Sequence, residues 1–374
     1  MTTTRPIICL IIDRITLGGD ARHAFELLQA MDRSPYRIHV VSLESPDDFA
    51  IDLQKLAVPV HSLDLPEATG FRGGWWSFAG TMTLFNLFLK LKPDIVHTMG
   101  PRAEVPGRIA ARLAQVGRVV HTERRAGEDL SLRRFLARLT GSWLDCAVAS
   151  TDAERTRFLS SRGLHPIRGR VIMPGVSPRI DCHVGVSESW PWSDGNPLLG
   201  TIGRPCKRSG TDVLIQAVEL LAPFHQKLKV VALGQHLEGI ACIREATRRG
   251  IGDRVYIPGN REEVPDILSQ LDVFVLPQRE DRVPLSLLEA LASSRPCVVS
   301  GTESLRELLT HEENALLVPP DHPALLANAI DRVLMDDELR LKLAANGRAL
   351  FEKRLGARHM ALAYSQLYEQ LIRT

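Results

Sequence analysis

Short apolar runs rich in Ile, Val and Leu alternate along the chain with longer segments whose apolar residues recur at helical spacing. Strands are expected at 7–12, 38–43, 58–63, 95–97, 119–121, 146–149 and 171–173, with helical segments such as 21–31, 102–113 and 132–140 between them. After residue 197 the alternation resumes, with strands expected at 198–202, 229–233, 255–257, 273–276, 297–299 and 316–318. Runs of this length, apolar at consecutive positions, suit strands buried on both faces. Regular β–α alternation predicts parallel sheets covered by helices. The two series meet in PGVSPRIDCHVGVSESWPWSDGNP (174–197), dense in Pro, Gly and Ser and without period, which reads as a linker. The expected division is a first domain over 1–174, a linker over 175–197, a second domain over 198–356 and a last helix over 357–374. That helix carries apolar Met360, Leu362, Ala363, Leu367 and Leu371.

A chain of 374 residues exceeds what one core usually supports, which agrees with two domains. No apolar run approaches the ~20 residues that cross a bilayer, and the N-terminal MTTTRPIICLIIDR reads as a buried strand rather than a signal peptide. Six scattered cysteines, none in a CxxC pair, favour a reduced cytosolic compartment and argue against zinc. Net charge is only +2, yet residues 71–180 hold 18 Lys and Arg against 8 Asp and Glu. This excess points to an anionic partner (a membrane surface, a lipid phosphate or an acidic sugar) or to a solvated arginine-rich surface. No nucleic-acid-binding motif accompanies it, and nucleic acid is not expected as a partner.

Candidate chemistry gathers in three places. In LDVFVLPQREDRVPLSLLEALASSRPCVVS (271–300) a strand ends at Pro277, a polar loop holds Asp281, and a helix beginning near Leu285 and Ser286 carries Glu289. That order sets two acids and a helix N-terminus at the carboxyl end of a parallel strand, where α/β sheets bind ligands and free amides favour phosphate. Near the start, Leu17-Gly18-Gly19 precedes a helix; paired glycines permit close approach of a ligand, and are equally common in plain turns. After the strand LLGTIG come Arg204, Lys207 and Arg208, three cations in five residues that suit a diphosphate or form a solvated basic turn. Residues 71–92 add Trp75 and Trp76 beside Arg72, suited to a membrane interface or a cleft lining, while Leu84, Leu87, Phe88 and Leu91 read as the core face of a helix.

Taken in order, LGGDARHAFELLQAM, LKPDIVHTMGPRAEVPGRIAARLAQVGRVVHTER, VIMPGV, LGTIGR, GIGDRVYIPGNREEVPDILSQLDVFVLP and LLEALASSRPCVV resemble the family 4 (group 1) retaining glycosyltransferases over nearly the whole chain. The resemblance implies the GT-B fold: α/β, two facing Rossmann-like doubly wound domains with parallel sheets, the C-terminal helix packing back on the first. It implies transfer of a sugar, with retention, from a nucleotide diphosphate sugar to a glycan or lipid-linked acceptor in cell-surface polysaccharide or glycolipid synthesis. No cofactor and no metal are implied, and a cytoplasmic location, peripheral at the inner membrane face, is expected. Glu289 matches the acid that holds the nucleotide ribose, and Asp281 the acid beside the donor sugar. The amides of Leu285 and Ser286, with Arg204, match diphosphate contacts, and Gly18 and Gly19 match the glycines beneath the sugar. His121 matches a histidine near the reaction centre, although a lone His ending a strand is more often structural. Arg124 and Arg125, with Trp75 and Trp76, are candidates for the acceptor, as are Arg133, Arg134 and Arg138. Three positions depart from the pattern: Asp281-Arg282 replaces Glu-Gly, Ser209 replaces a Lys whose charge falls to Lys207 or Arg208, and Pro174-Gly175 replaces Asn-Gly. A GT-B protein that binds nucleotide sugar or a partner without turnover is the competing expectation.

Overall fold

The computed structural model describes residues 5–16, 19–47, 49–65, 78–124, 131–178, 196–234, 239–259 and 264–374. Its strands form where the apolar runs predict them, in two sheets whose pairings are all parallel among the described residues. The first sheet contains β1 (Ile7–Ile12), β2 (Arg37–Ser42), β3 (Val60–Ser62), β4 (Ile95–Met99), β5 (Arg118–Thr122), β6 (Cys146–Ala149) and β7 (Gly169–Val171), in the order β3-β2-β1-β4-β5-β6-β7. The second contains β8 (Leu198–Ile202), β9 (Lys229–Leu233), β10 (Val255–Gly259), β11 (Val273–Leu276), β12 (Cys297–Ser300) and β13 (Leu316–Val318), in the order β10-β9-β8-β11-β12-β13. Each series starts in mid-sheet, winds to one edge, returns and winds to the other. The reversals fall between β1 and β4 and between β8 and β11, and at such switch points the connections diverge to leave a crevice at the strands' carboxyl ends.

Burial explains the unbroken apolar runs. Ile8, Leu10 and Ile12 of β1 pack with Leu27 and Leu28 of the helix Gly19–Ala30 and with Met360, Tyr364 and Leu367 of the C-terminal helix Ala357–Arg373. Cys9 and Ile11 face the other way, onto Leu84 and Phe88 of the helix Phe78–Leu91 and Ala110 and Ala111 of the helix Glu104–Leu113. The expected core face of the third of these helices is therefore present. Each buried Ile, Leu, Met or Phe among them contributes roughly 1.5–3 kcal/mol by leaving water. Burial also pushes the Cys9 and Cys146 thiols up to about 12, which leaves them as packing groups.

The chain forms two compact units, Met1–Ser177 with Ala357–Thr374, and Pro178–Gly356. The C-terminal helix returns to the first unit, where the Ala357 N–H donates to the Val176 carbonyl at 3.0 Å. Residues 179–195 of the expected linker lie outside the described residues.

Candidate functional site

In the second unit the β8 and β11 ends are joined by backbone contact. Gly210 caps the helix Thr211–Leu221 at φ +71°, and a Cβ there would stand 1.8 Å from the Pro277 carbonyl oxygen, so only glycine fits. Arg279 reinforces the join. Its N–H donates to the Arg208 carbonyl at 2.9 Å, and its guanidinium forks onto Asp212 at 2.7 and 2.9 Å while also reaching Asp321 and the Lys207 carbonyl. Burial alone would raise the Asp212 carboxyl, but hydrogen bonds and charge from Arg279 hold it below the usual range. Arg279 is thereby committed to the fold, and the candidate cations Arg204, Lys207 and Arg208 are displayed on the exposed turn it braces.

The helix Leu285–Ala292 begins at this same edge. Its cap residue, Pro284, offers no side-chain acceptor, and its first turn contains no acid, so the amide dipoles there are not neutralised from within the helix. Ser286 Oγ donates to the Ile202 carbonyl at 3.1 Å, fixing the helix start to the end of β8. Glu289 is half-buried four residues beyond Leu285, on the same helical face one turn along. Asp281 has a structural contact that sequence could not show: its Oδ1 accepts the Ser304 N–H at 2.8 Å, capping the helix Glu303–Leu308. Glu280 pairs with Arg282 at 2.7 Å. Ser209 Oγ donates to the Cys206 carbonyl at 2.8 Å, closing the basic turn instead of supplying charge.

In the first unit, the β1/β4 crevice is lined by Asp13, which the sequence reading missed. Asp13 Oδ1 accepts the Ala103 N–H at 2.7 Å and Oδ2 the Arg102 N–H at 3.1 Å, while Gly100, at φ +98°, leaves room for the carboxylate where a Cβ would lie 2.8 Å from Oδ2. Burial, then the charge of Asp20, pushes this carboxyl up to about 7 against the pull of the two amides and Arg102. The available signal was an acid placed directly after an all-apolar strand.

Gly19 opens its helix with φ +55°. Arg124, just past the end of β5, lies 3.6 Å from Asp20 and donates from Nη1 to His23 Nδ1 at 2.9 Å. Because arginine only donates, His23 must carry its proton on Nε2. That proton goes to Tyr364 Oη at 3.3 Å, Tyr364 donates to Thr122 Oγ1 at 2.9 Å, and Thr122 donates to His97 Nε2 at 2.7 Å. His97 Nδ1–H then reaches Tyr368 Oη at 2.7 Å. One guanidinium thus orients a buried chain that runs into the C-terminal helix. Burial, then Arg124, keeps His23 far below its usual range, and burial brings His97 to about 3, so both rings are neutral.

His121 stands elsewhere. It is fully buried within β5, stacked on Phe158 at 5.3 Å, with Nδ1 2.9 Å from Thr98 Oγ1 and Nε2 3.6 Å from Glu123. Arg124, three residues on, is the residue that reaches the sheet edge. Glu104, His121 and Glu123 offer metal-ligating atoms within 4.8 Å of one another. Glu104 already accepts from Arg108 at 3.1 Å and twice from Arg162 at 3.0 Å, and two guanidiniums beside a site oppose entry of another cation. Gly18, Trp75, Trp76 and Arg125 lie outside the described residues; Arg138 is exposed on the helix Ser131–Leu139.

Two parallel, doubly wound α/β units define a GT-B protein. The structure superposes on Anabaena Alr3699/HepE, solved with UDP and glucose, with a TM-score of 0.79 at 18% identity, covering 97% of this chain and 99% of that one. It superposes on WaaG, a glycosyltransferase involved in lipopolysaccharide biosynthesis, with a TM-score of 0.72 at 15% identity over 95% and 98% of the two chains. Residues 17–179 match the family described as Glycosyltransferase Family 4, and residues 186–350 that described as Glycosyl transferases group 1. The chain belongs to this group 1, family 4 class of glycosyltransferases. Among relatives, the lipopolysaccharide core biosynthesis mannosyltransferase LpsB of Rhizobium meliloti is 32% identical over 47% of this chain and 52% of its own. The UDP-Gal:alpha-D-GlcNAc-diphosphoundecaprenol alpha-1,3-galactosyltransferase of Escherichia coli is 27% identical over 70% of this chain and 71% of its own. The matched region is thus about half the length of the first of these relatives. No described helix is long and apolar enough to cross a membrane.

Proposed function

We propose that the protein transfers a sugar, with retention and without a metal, from a nucleoside-diphosphate sugar to a glycan or lipid-linked acceptor in cell-surface polysaccharide or glycolipid synthesis. The observation that carries this reading is the uncapped N-terminus of the Leu285–Ala292 helix, fixed to the β8 end through Ser286 beside the exposed Arg204, Lys207 and Arg208. Amides of Leu285 and Ser286 would hold the diphosphate, and the cations would offset charge as it builds on the leaving nucleotide. Stabilising developing charge with fixed donors is usually the largest catalytic contribution. Glu289 would take the ribose hydroxyls, and Arg124 a phosphate on the acceptor. Uracil is the favoured base because Alr3699/HepE was solved with UDP and a relative's name specifies UDP-Gal.

The test is a thermal-shift titration with UDP, GDP and ADP, with magnesium or with chelator. UDP is expected to raise the melting temperature equally in both, by mass action on the folded state. Glu289→Ala should weaken UDP binding by about tenfold or more, since a hydrogen bond to a charged group is worth roughly 1.5–3 kcal/mol. A shift from no nucleotide at millimolar concentration, or an unchanged affinity in Glu289→Ala, would overturn the assignment. The capping of Ser304 by Asp281 favours a second reading, a binding protein with little turnover. UDP binding without release of sugar from any UDP-sugar, with candidate acceptors present, would select it.

A further inference from the structure

The helix Glu303–Leu308, which follows β12, has two acceptors for one cap. Thr302 occupies its N-cap position: the backbone there is extended, at φ −71° and ψ 164°, and the Thr302 carbonyl accepts the first helical bond, from the Arg306 N–H at 2.9 Å. Threonine is favoured at that position because its hydroxyl takes an amide of the first turn. Here it does not. Asp281, reaching across from the loop after β11, already accepts the Ser304 N–H at 2.8 Å. Thr302 is 7% exposed, and its Oγ1 has no hydrogen-bond partner in the protein. Among the described residues of the second unit, no other buried side-chain polar atom is left in this state. Buried polar atoms without a partner are rare and costly, so a hydroxyl kept in such a position calls for a use.

The carboxylate holds the amide because a charged acceptor forms the stronger bond. It also stands where a donor sugar would need an acceptor. With the diphosphate at the Leu285 and Ser286 amides and the ribose at Glu289, one turn along, the sugar lies on the other side of the diphosphate, toward 281–284. A carboxylate there would accept from sugar hydroxyls, but to do so Asp281 must leave Ser304 and strip the cap. Thr302 already has an N-cap backbone two residues before Ser304, and a rotation about χ1 is what brings its Oγ1 to the same amide. We propose that Thr302 is a positioning residue for the donor sugar: it takes over the Ser304 N–H when a UDP-sugar draws Asp281 away. Engaging the sugar then exchanges one cap for another and removes none. The inference rests on the donor site proposed above, and it makes the Asp281 cap the resting arrangement of the loop, not a commitment of the acid to the fold.

Calorimetric titration of the full chain with UDP, UDP-glucose, UDP-galactose and UDP-N-acetylglucosamine tests this. Thr302→Val, which keeps the shape and removes the acceptor, should leave UDP affinity unchanged and weaken the tightest of the three UDP-sugars about fivefold, the size of one lost cap. Thr302→Ser, which restores the hydroxyl, should return it to the wild-type value. In Asp281→Ala the threonine has the amide to itself, so adding Thr302→Val should lower UDP-sugar affinity no further; a purely structural threonine would leave the ratio of UDP to UDP-sugar affinity the same in every background. In wild-type protein isotope-labelled at serine, the Ser304 amide proton should move upfield with the UDP-sugar and not with UDP, as a neutral acceptor replaces a charged one. That measurement stands even if a variant fails to fold. An unmoved Ser304 amide, an unchanged ratio in Thr302→Val, or a Thr302→Ser that behaves like Thr302→Val would overturn the proposal. UDP that fails to bind the wild type would remove the donor site and the exchange with it, while UDP bound with the ratio unmoved would remove the exchange alone.

Discussion

Glu104→Ala is expected to destabilise the first unit by about 3–5 kcal/mol, the usual consequence of leaving buried charges without their partner. Glu104 is fully buried, and Arg108 is 1% exposed. The carboxylate accepts from Arg108 Nη2 and from Arg162 Nε and Nη2, while Arg108 Nη1 continues to the Ala137 carbonyl and Thr140 Oγ1. Three helices, Glu104–Leu113, Ser131–Leu139 and Asp152–Arg162, are joined through this one anion. Burial alone would raise its carboxyl, but His121, Arg108 and Arg162 together hold it well below the usual carboxylate range. Without it, two guanidiniums face each other in a dry environment. Urea titration of Glu104→Ala measures the loss; a change below about 1 kcal/mol would mean that water or Glu123 replaces the lost anion. UDP affinity should stay unchanged where the variant remains folded, because the network lies in the first unit.

The strands and the two-unit division were legible because burial on both sheet faces forces consecutive apolar residues, as Ile7–Ile12 shows. The location of the candidate site was legible for a related reason: Leu276 to Leu285 carries a strand end, a Pro-bounded loop and a helix start in one continuous stretch. What depended on distant pairings was not. Nothing near Arg279 in sequence indicates that it would be spent on Asp212 and Asp321. Asp281 reads as an open acid until Ser304, 23 residues away, is placed beside it. The chain from Arg124 to Tyr368 joins residues more than 200 positions apart, and Asp13 depends on a glycine in a neighbouring strand connection. His121 has a setting that sequence also did not show. A histidine within an apolar strand looks chemical in sequence, yet the alternation of strand side chains turns it into the interior, onto Phe158.

Mild acid is expected to weaken the first unit between pH 6.5 and 4.5, because four histidines held low oppose one carboxyl held high. His97 titrates near 3 in the folded chain and at its ordinary value when unfolded, so below about pH 6.5 only the unfolded chain gains its proton. His23, His39 and His61 are shifted the same way, all by burial first. A histidine that stays neutral in the fold costs about 1.4 kcal/mol per pH unit as pH falls. Asp13 has the opposite sign: with a folded value of about 7, it takes its proton in the folded chain first, which adds stability as pH drops toward the ordinary carboxylate range. The histidines outnumber the carboxyl, so stability falls as pH drops through this window. Glu104, held low, begins to cost stability only below this window, as unfolded carboxylates titrate. Urea unfolding at half-unit steps reads the slope directly. Asp13→Asn should steepen it by about one proton, and His97→Gln should flatten it by about one proton, whatever either does to stability at pH 7. A stability that is level or rising from pH 6.5 to 4.5 would mean that His23 and His97 accept protons in place. The donor order from Arg124 to Tyr368 would then be wrong, because a doubly protonated His23 cannot accept from Arg124.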